Sequence, residues 1–258
     1  MKQRISHTRI HTAAECARQF YFRYKLHLKP ADSAPELATG TFLHRVVADF
    51  FKTRDPLGDC YERALVSLAG ALDLRPFGDT DEDYGKAKYR LDKFMRGLYR
   101  IEDKLRGFPP LVVEQRMFVP LSPSVSFEFQ PDAFTEHGAL NLVELKTGQN
   151  PTPEQYLLLS VQHLEYLWAL RELGRPGPYG VVYIFADPAK AWIEDPFPVS
   201  DAMLDAAGRW IKEYRDPAVY RANYAPHCKW CPFNLICETE LMGLSTEDVI
   251  GAFAKEET

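Results

Sequence analysis

Pro109 and Pro110 divide the chain where its apolar periodicity changes, and that change constrains the fold more than any other feature. Upstream the spacing is helical, and downstream it gives way to strand-like segments, with period-2 alternation at Ser124–Gln130. A proline pair ends a helix because it lacks amide donors and its rings clash with the preceding turn. Upstream, a helix is expected from a Thr12 cap to about Leu28, rich in Phe20, Tyr21, Phe22 and Tyr24. A loop at Pro30–Pro35 precedes a second helix, opened by Gly40 and carrying Phe42, Leu43, Val46, Val47, Phe50 and Phe51. Tyr61–Leu72 suits a third, and Asp79–Asp83 an acidic loop. Tyr84–Arg106 reads as one long helix with an apolar stripe of Leu91, Phe94, Met95, Leu98, Ile101 and Leu105.

Downstream, strands are expected at Leu111–Val119, Ser124–Gln130 and Ala139–Lys146, with a turn at Glu136–Gly138. A helix from Pro151 to about Leu173, a turn to Gly180, strands at Tyr179–Ala186 and Ala191–Val199, and a helix at Asp201–Tyr214 follow. From about Arg215 the chain reads as irregular and cysteine-bearing. Helices, then strands, then helix and strand imply a mixed α/β fold.

At 258 residues the chain is long enough for one large domain or two small ones. Its 46% hydrophobic and 26% charged residues are those of a folded globular protein. The net charge of −5 excludes a uniformly basic nucleic-acid coat, though not a local basic groove. Such a groove has a candidate. Residues 84–106 hold eight basic and three acidic side chains, and at 100° per residue Lys86, Arg90, Lys93, Arg100 and Lys104 cluster on one helical face. A solvated surface would look the same. No apolar run approaches a membrane span, no secretory leader is expected, and the odd, uneven cysteines do not form a disulfide framework. A cytoplasmic protein is the default.

Several motifs are missing. There is no phosphate-binding G-x-x-x-x-G-K-[ST], no H-E-x-x-H and no G-x-S-x-G. Lys146-Thr147-Gly148 lacks the S-x-x-K that would make it a β-lactam motif. The chemistry starts instead at Glu144 and Lys146, which share one face of a strand while Val143 and Leu145 point to the core. Alone, that is a surface ion pair. With Asp132 after the preceding strand, two carboxylates on adjacent strands can hold a hard divalent cation, and the lysine can orient water and stabilise a charged phosphate. Both Glu144 and Lys146 are expected to leave the strand end toward solvent and the metal. His44 on an apolar helix reads by itself as a core histidine, and Gln162 and Tyr166 share a helix face. Cys228, Cys231 and Cys237 are three local thiols needing a fourth ligand. Zinc with His227 or Cys60 and an iron–sulfur cluster both remain open.

The order G-x-x-x-H (Gly40 to His44), Glu114 in a strand, Pro131-Asp132, Glu144-x-Lys146-Thr147-Gly148 and Gln162-x-x-x-Tyr166 resembles the RecB-type branch of the PD-(D/E)xK nuclease superfamily. The segment from Glu15 to Tyr24 is similar to that branch's C-P-R-x-F-Y-x-x-Y helix, and Cys228 to Cys237 to its C-x-x-C-P-x-x-x-x-C signature. The resemblance spans residues 5–240 and is strongest to stand-alone and CRISPR-associated RecB-like exonucleases. Ala17 stands where the family has proline, and Gln130 departs from a glycine-containing approach to the aspartate.

The resemblance implies a restriction-endonuclease-like mixed sheet flanked by helices. The nuclease core would occupy 40–205 with a helical insertion at about 52–108, and an iron–sulfur subdomain would be built from 1–30 and 206–258. His44, Asp132, Glu144 and the Leu145 carbonyl would bind Mg²⁺ or Mn²⁺, Lys146 would be the catalytic lysine, Glu114 a supporting acid, and Gln162 and Tyr166 would position the strand. Cys16 would complete a 4Fe-4S cluster with Cys228, Cys231 and Cys237, leaving Cys60 as a buried thiol. The implied reaction is DNA phosphodiester hydrolysis by metal-activated water, as an exonuclease on single-stranded ends in DNA repair, recombination or CRISPR or phage DNA processing. Recruitment by a helicase or CRISPR integration complex would fit. A DNA-end-binding subunit with little catalysis, and a zinc-stapled structural protein, are the rivals.

Overall fold

The computed structural model describes residues 3–29, 35–70, 81–147, 161–186, 191–193 and 195–253. The chain divides into two compact units, one of Ala34–Val119 with Phe129–Ala207, the other of Met1–Ser33, Pro120–Glu128 and Gly208–Thr258. Most of the loop expected at Pro30–Pro35, the first part of the helix expected from Pro151, and Gly148 lie outside the described residues. The expected class holds: mixed α/β, with sheets flanked by helices.

The larger unit is built on a mixed sheet. Its sheet runs β2 (Val112–Val113), β5 (Ala133–His137), β6 (Ala139–Thr147), β7 (Tyr179–Ala186), β8 (Ala191–Ile193), with β9 (Phe197–Val199) also on β7. β5 and β6 form a hairpin with Ala133 opposite Val143, turning at Gly138, whose φ of 70° favours glycine. β6 and β7 are parallel, from Leu140 opposite Tyr179 to Thr147 opposite Ala186. Parallel neighbours require a crossover, and helix α7 (Gln162–Glu172) lies on it. β6 is buried along most of its length, so it reads as an almost unbroken apolar run interrupted by Asn141 and Glu144.

Three helices cover one face: α3 (Pro35–Thr53), α4 (Leu57–Gly70) and α5 (Asp81–Tyr99). Their apolar stripes meet Val143, Leu145, Val182 and Ile184 in one core. In α5, Leu91, Met95 and Leu98 are 0–1% exposed. Burying each contributes about 1.5–3 kcal/mol, against a few tenths for a surface pair such as Lys88–Asp92. The stripe, not the charges, anchors this helix.

Several boundaries differ from expectation. The long helix at 84–106 starts instead at Asp81, where an acidic first turn suits the helix dipole. It ends at Tyr99, because the amides of Arg100 and Ile101 close tight bonds three residues back, to Gly97 and Leu98. A short helix, α6 (Glu102–Arg106), follows. The expected strand 111–119 is β2 plus β3 (Met117–Ser122), broken at Glu114, whose φ is 46°.

The smaller unit holds a three-stranded sheet, β1 (Gln3–Ser6), β4 (Val125–Phe129), β3, with β1 parallel to β4. The helix expected from Thr12 starts earlier. Ser6 caps α1 (His7–Glu15) by accepting from the Arg9 amide, and Thr12 lies inside it. Cys16 is extended (φ −155°), and α2 (Ala17–Phe20) passes into a π-helical stretch, Tyr21–Lys25. A regular helix places residues two apart on nearly opposite sides. Here Phe20 packs on Tyr24 and Tyr220 while Phe22 packs on Phe233, and both are buried, so the segment faces apolar neighbours on two sides.

Early and late segments of the chain meet within this unit. Arg18 forms a bidentate bond to Glu240 (2.7 and 2.9 Å), its amide donates to the Arg221 carbonyl, and Asn223 donates to the Glu15 carbonyl (2.8 Å). α8 (Asp201–Tyr214), a 3-10 turn at Pro226–Trp230, α9 (Asn234–Leu241) and α10 (Glu247–Gly251) complete the chain.

Candidate active site

β6 and β5 bring the two central carboxylates together. Asp132 immediately precedes β5 and accepts the Leu145 amide of β6 through Oδ2 (2.8 Å). Its Oδ1 meets His44 Nδ1 at 2.9 Å. His44 comes from α3, which can approach the end of β6 because Gly40 has no side chain: a Cβ there would stand 3.3 Å from Thr147 Oγ1. The glycine of the G-x-x-x-H spacing thus faces the end of β6, and its histidine faces Asp132 just before β5.

Glu144 is 3% exposed, which corrects the expectation that it leaves the strand toward solvent. β6 is a central strand, covered on both faces. The Glu144 Oε2 accepts from Lys146 Nζ (3.2 Å), and Oε1 is buried with no hydrogen-bond partner. Lys146 is itself only 15% exposed. Tyr166 of α7 is buried and accepts from Gln162 Nε2 through its hydroxyl (3.0 Å).

The electrostatics tie these groups together. Burial holds the Glu144 carboxyl above its usual range, the Lys146 ammonium opposes this, and Asp132 adds to it. For His44, burial pulls downward, but the hydrogen bond and charge of Asp132, aided by Glu144, leave the imidazole above its ordinary value. Burial raises the Tyr166 phenol, and the Glu144 charge raises it further.

Glu114 stands beside Asp132. Its left-handed backbone lets its amide donate to the Asp132 carbonyl (3.0 Å), while its carboxylate pairs with Lys52 (3.4 Å). His44, Glu114, Asp132 and Leu145 line a pocket of about 10 Å³, room for about one water or ion. Glu144 and Lys146 lie next to it in sequence and charge, without lining it. Among the described residues no three His, Cys, Asp or Glu side chains stand gathered closely enough to hold a single metal ion. The His44–Asp132 bond would have to open for both to share one.

The nucleic-acid candidates do not share one helix. Lys86, Arg90 and Lys93 are on α5, where Lys93 covers the Tyr89 ring (4.4 Å), but Arg100 is in the turn and Lys104 on α6. The helical-face geometry therefore does not carry past Tyr99.

In the smaller unit, Cys16, Cys228, Cys231 and Cys237 all line one cavity of about 240 Å³. Burial pushes the Cys237 thiol up to about 11, with Cys231 and Cys16 adding to it. Cys231 is likewise raised by burial first, then by Cys16 and Cys228. His227 also lines this cavity, whereas Cys60 is fully buried in the other unit, against Arg63 and Thr53. All five cysteines are unpaired.

Sequence reasoning missed a second group. Arg45, Asp49 and Lys52 follow His44 around α3 and, with Arg63 and Ser67 of α4, line an open trough beside Glu114. Their helical spacing on α3 was the available signal.

The sequence matches the PD-(D/E)XK nuclease superfamily over residues 4–238, and its nucleases generally use Mg²⁺ or Mn²⁺. No curated protein sequence matches the chain. Among solved structures, a protein from Eubacterium rectale described as a presumed exonuclease is similar, with a TM-score of 0.53, 12% identity and 88% of each chain covered. The structure of SSO0001 aligns at a TM-score of 0.40 and 15% identity, over 92% of this chain and 86% of the other. At such identities the likeness of the first concerns the fold alone, and the second carries no argument. No helix among the described residues is long and apolar enough to cross a membrane.

Proposed function

Because this chain belongs to the PD-(D/E)XK nuclease superfamily, we propose that it is a metal-dependent deoxyribonuclease acting on single-stranded DNA ends. The observation that carries the reading is the buried Glu144 Oε1, which has no hydrogen-bond partner although its carboxylate neighbours Asp132 and Lys146. A buried oxygen without a partner is costly unless a cation or donor meets it. Hard oxygen donors with one imidazole suit Mg²⁺ or Mn²⁺.

His44, Asp132, Glu144 and the Leu145 carbonyl would hold the cation. When bound, it supplies Lewis acidity toward a phosphate oxygen and makes water a better nucleophile at neutral pH. The chain's own groups do the rest. The Leu145 amide fixes the Asp132 carboxylate through Oδ2. Lys146, paired with Glu144, presents an ammonium that hydrogen-bonds a water and stabilises charge on the phosphoryl oxygens. The Tyr166 hydroxyl keeps its proton, since its pKa is raised, and can donate it to the strand. Glu114 supports Asp132 through the backbone.

The same reading gives the smaller unit a 4Fe-4S cluster on Cys16, Cys228, Cys231 and Cys237. Their shared cavity supports it. A single zinc needs four ligands at about 2.0–2.3 Å, a tighter gathering than a cubane requires. Thiols in a reducing cytoplasm suit a cluster better than disulfides. With no motor motif in the chain, it would either work alone or be recruited by a helicase or CRISPR integration complex.

The test is cleavage of single-stranded oligonucleotides, labelled at each end in turn, with Mn²⁺ or EDTA. Metal-dependent shortening that Asp132→Asn abolishes is expected. Binding without cutting would favour an end-binding subunit instead.

A further inference from the structure

The pocket of about 10 Å³ at Asp132 cannot seat any part of a nucleotide, so the strand must lie outside it. The adjoining space is a trough of about 410 Å³, which shares Ala48 and Glu114 with that pocket. This is within the range of small-ligand sites. Three cations line it, Arg45 and Lys52 from α3 and Arg63 from α4, against two carboxylates, Asp49 and Glu114. We propose that this trough seats one nucleotide of the substrate strand next to the scissile bond, with Arg45, Lys52 and Arg63 holding its phosphates. The proposal rests on the nuclease reading above and adds the path of the strand to it.

The chemistry favours a polyanion. Arg45 is exposed, and no carboxylate of the described residues pairs with it. A guanidinium presents a fork of donors that fits a phosphate. Lys52 and Arg63 are already partnered, with Glu114 at 3.4 Å and with Asp49 and Asp55 at 2.8 and 2.9 Å. Those side chains are 29–51% exposed, and ion pairs in such positions are weak and exchange partners readily. A phosphate arriving at Lys52 would also release Glu114, the residue whose amide bonds the Asp132 carbonyl. Ala48 and Ala64 give the floor an apolar surface for a sugar or base, and Ser67 adds a hydroxyl.

The experiment measures binding of a short fluorescent oligothymidylate in EDTA, where no cleavage occurs, across a salt series. It uses Arg45→Glu, Lys52→Glu and the charge-keeping Arg45→Lys, all solvent-facing substitutions, checked for wild-type melting. Each lost phosphate contact should reduce the slope of log affinity against log salt by roughly 0.7 for single strands. Weaker binding with a shallower slope in both glutamate variants, and a wild-type slope in Arg45→Lys, is the expected result. Wild-type affinity and slope in the glutamate variants would overturn the trough, even if Mn²⁺-dependent cleavage is normal. If the wild type binds with the expected charge dependence and never cuts, the trough stands and the nuclease reading fails.

Discussion

Replacing Glu144 by Gln should reverse the order of stability between two buffers. In EDTA the wild type keeps a carboxylate that is 3% exposed, with one oxygen unpartnered and Asp132 nearby. Its pKa is raised in the folded chain, mainly by burial. The folded state therefore holds the ionised form less well than the unfolded state, and stability falls as pH rises above about 4.3, the ordinary value. The loss grows with pH until the raised value in the folded chain is passed. The amide removes it, against the loss of the Lys146 partner, so Glu144→Gln should melt at or above the wild type in EDTA. Adding Mn²⁺ changes the order. A cation that binds only the folded protein adds about 2.7 kcal/mol at a hundred times its dissociation constant. For a domain of this size that is about 5–10 °C in Tm. The wild type should show this rise, and Glu144→Gln little of it. Differential scanning fluorimetry with and without Mn²⁺ measures both arms. A rise in the variant equal to the wild type's would refute Glu144 as a ligand.

Lys146→Ala should lower cleavage by about a hundredfold or more, the cost of losing one charge-stabilising donor, with Mn²⁺ binding retained. Stopped assays on a labelled oligonucleotide decide it, and near-wild-type rates would exclude the lysine. Cys16→Ala should yield colourless protein with little iron or sulfide and faster proteolysis, because a ligand from the first helices is lost. Cys60→Ala should keep its iron. If Cys16→Ala retains full iron, a local site using His227 is the better account. Reversing Lys86 and Lys93 together should flatten the salt dependence of DNA binding by about 1.4 if α5 tracks a single strand. An unchanged slope makes that helix a solvated face.

Much of this protein is legible without its fold. The helical stripe of α5 and the near-continuous apolar run of β6 place both elements, because burial on one helix face demands a stripe and burial on both strand faces a run. Glu144 and Lys146 share a face because strands alternate. The local geometry failed where tertiary packing overrode it. Thr12 is not a cap because Ser6 takes that position, and the basic face breaks at Arg100, where the turn tightens. No spacing rule predicts the Asp132–Leu145 bond, the burial of Glu144 or the trough beside Arg45, since each depends on groups from separate elements. Residue types and their order along the chain determined which chemistry is available. Which atoms meet, and how far from water, was decided by the sheet and the helices packed on it, because only packing brings distant carboxylates together and strips their solvent away.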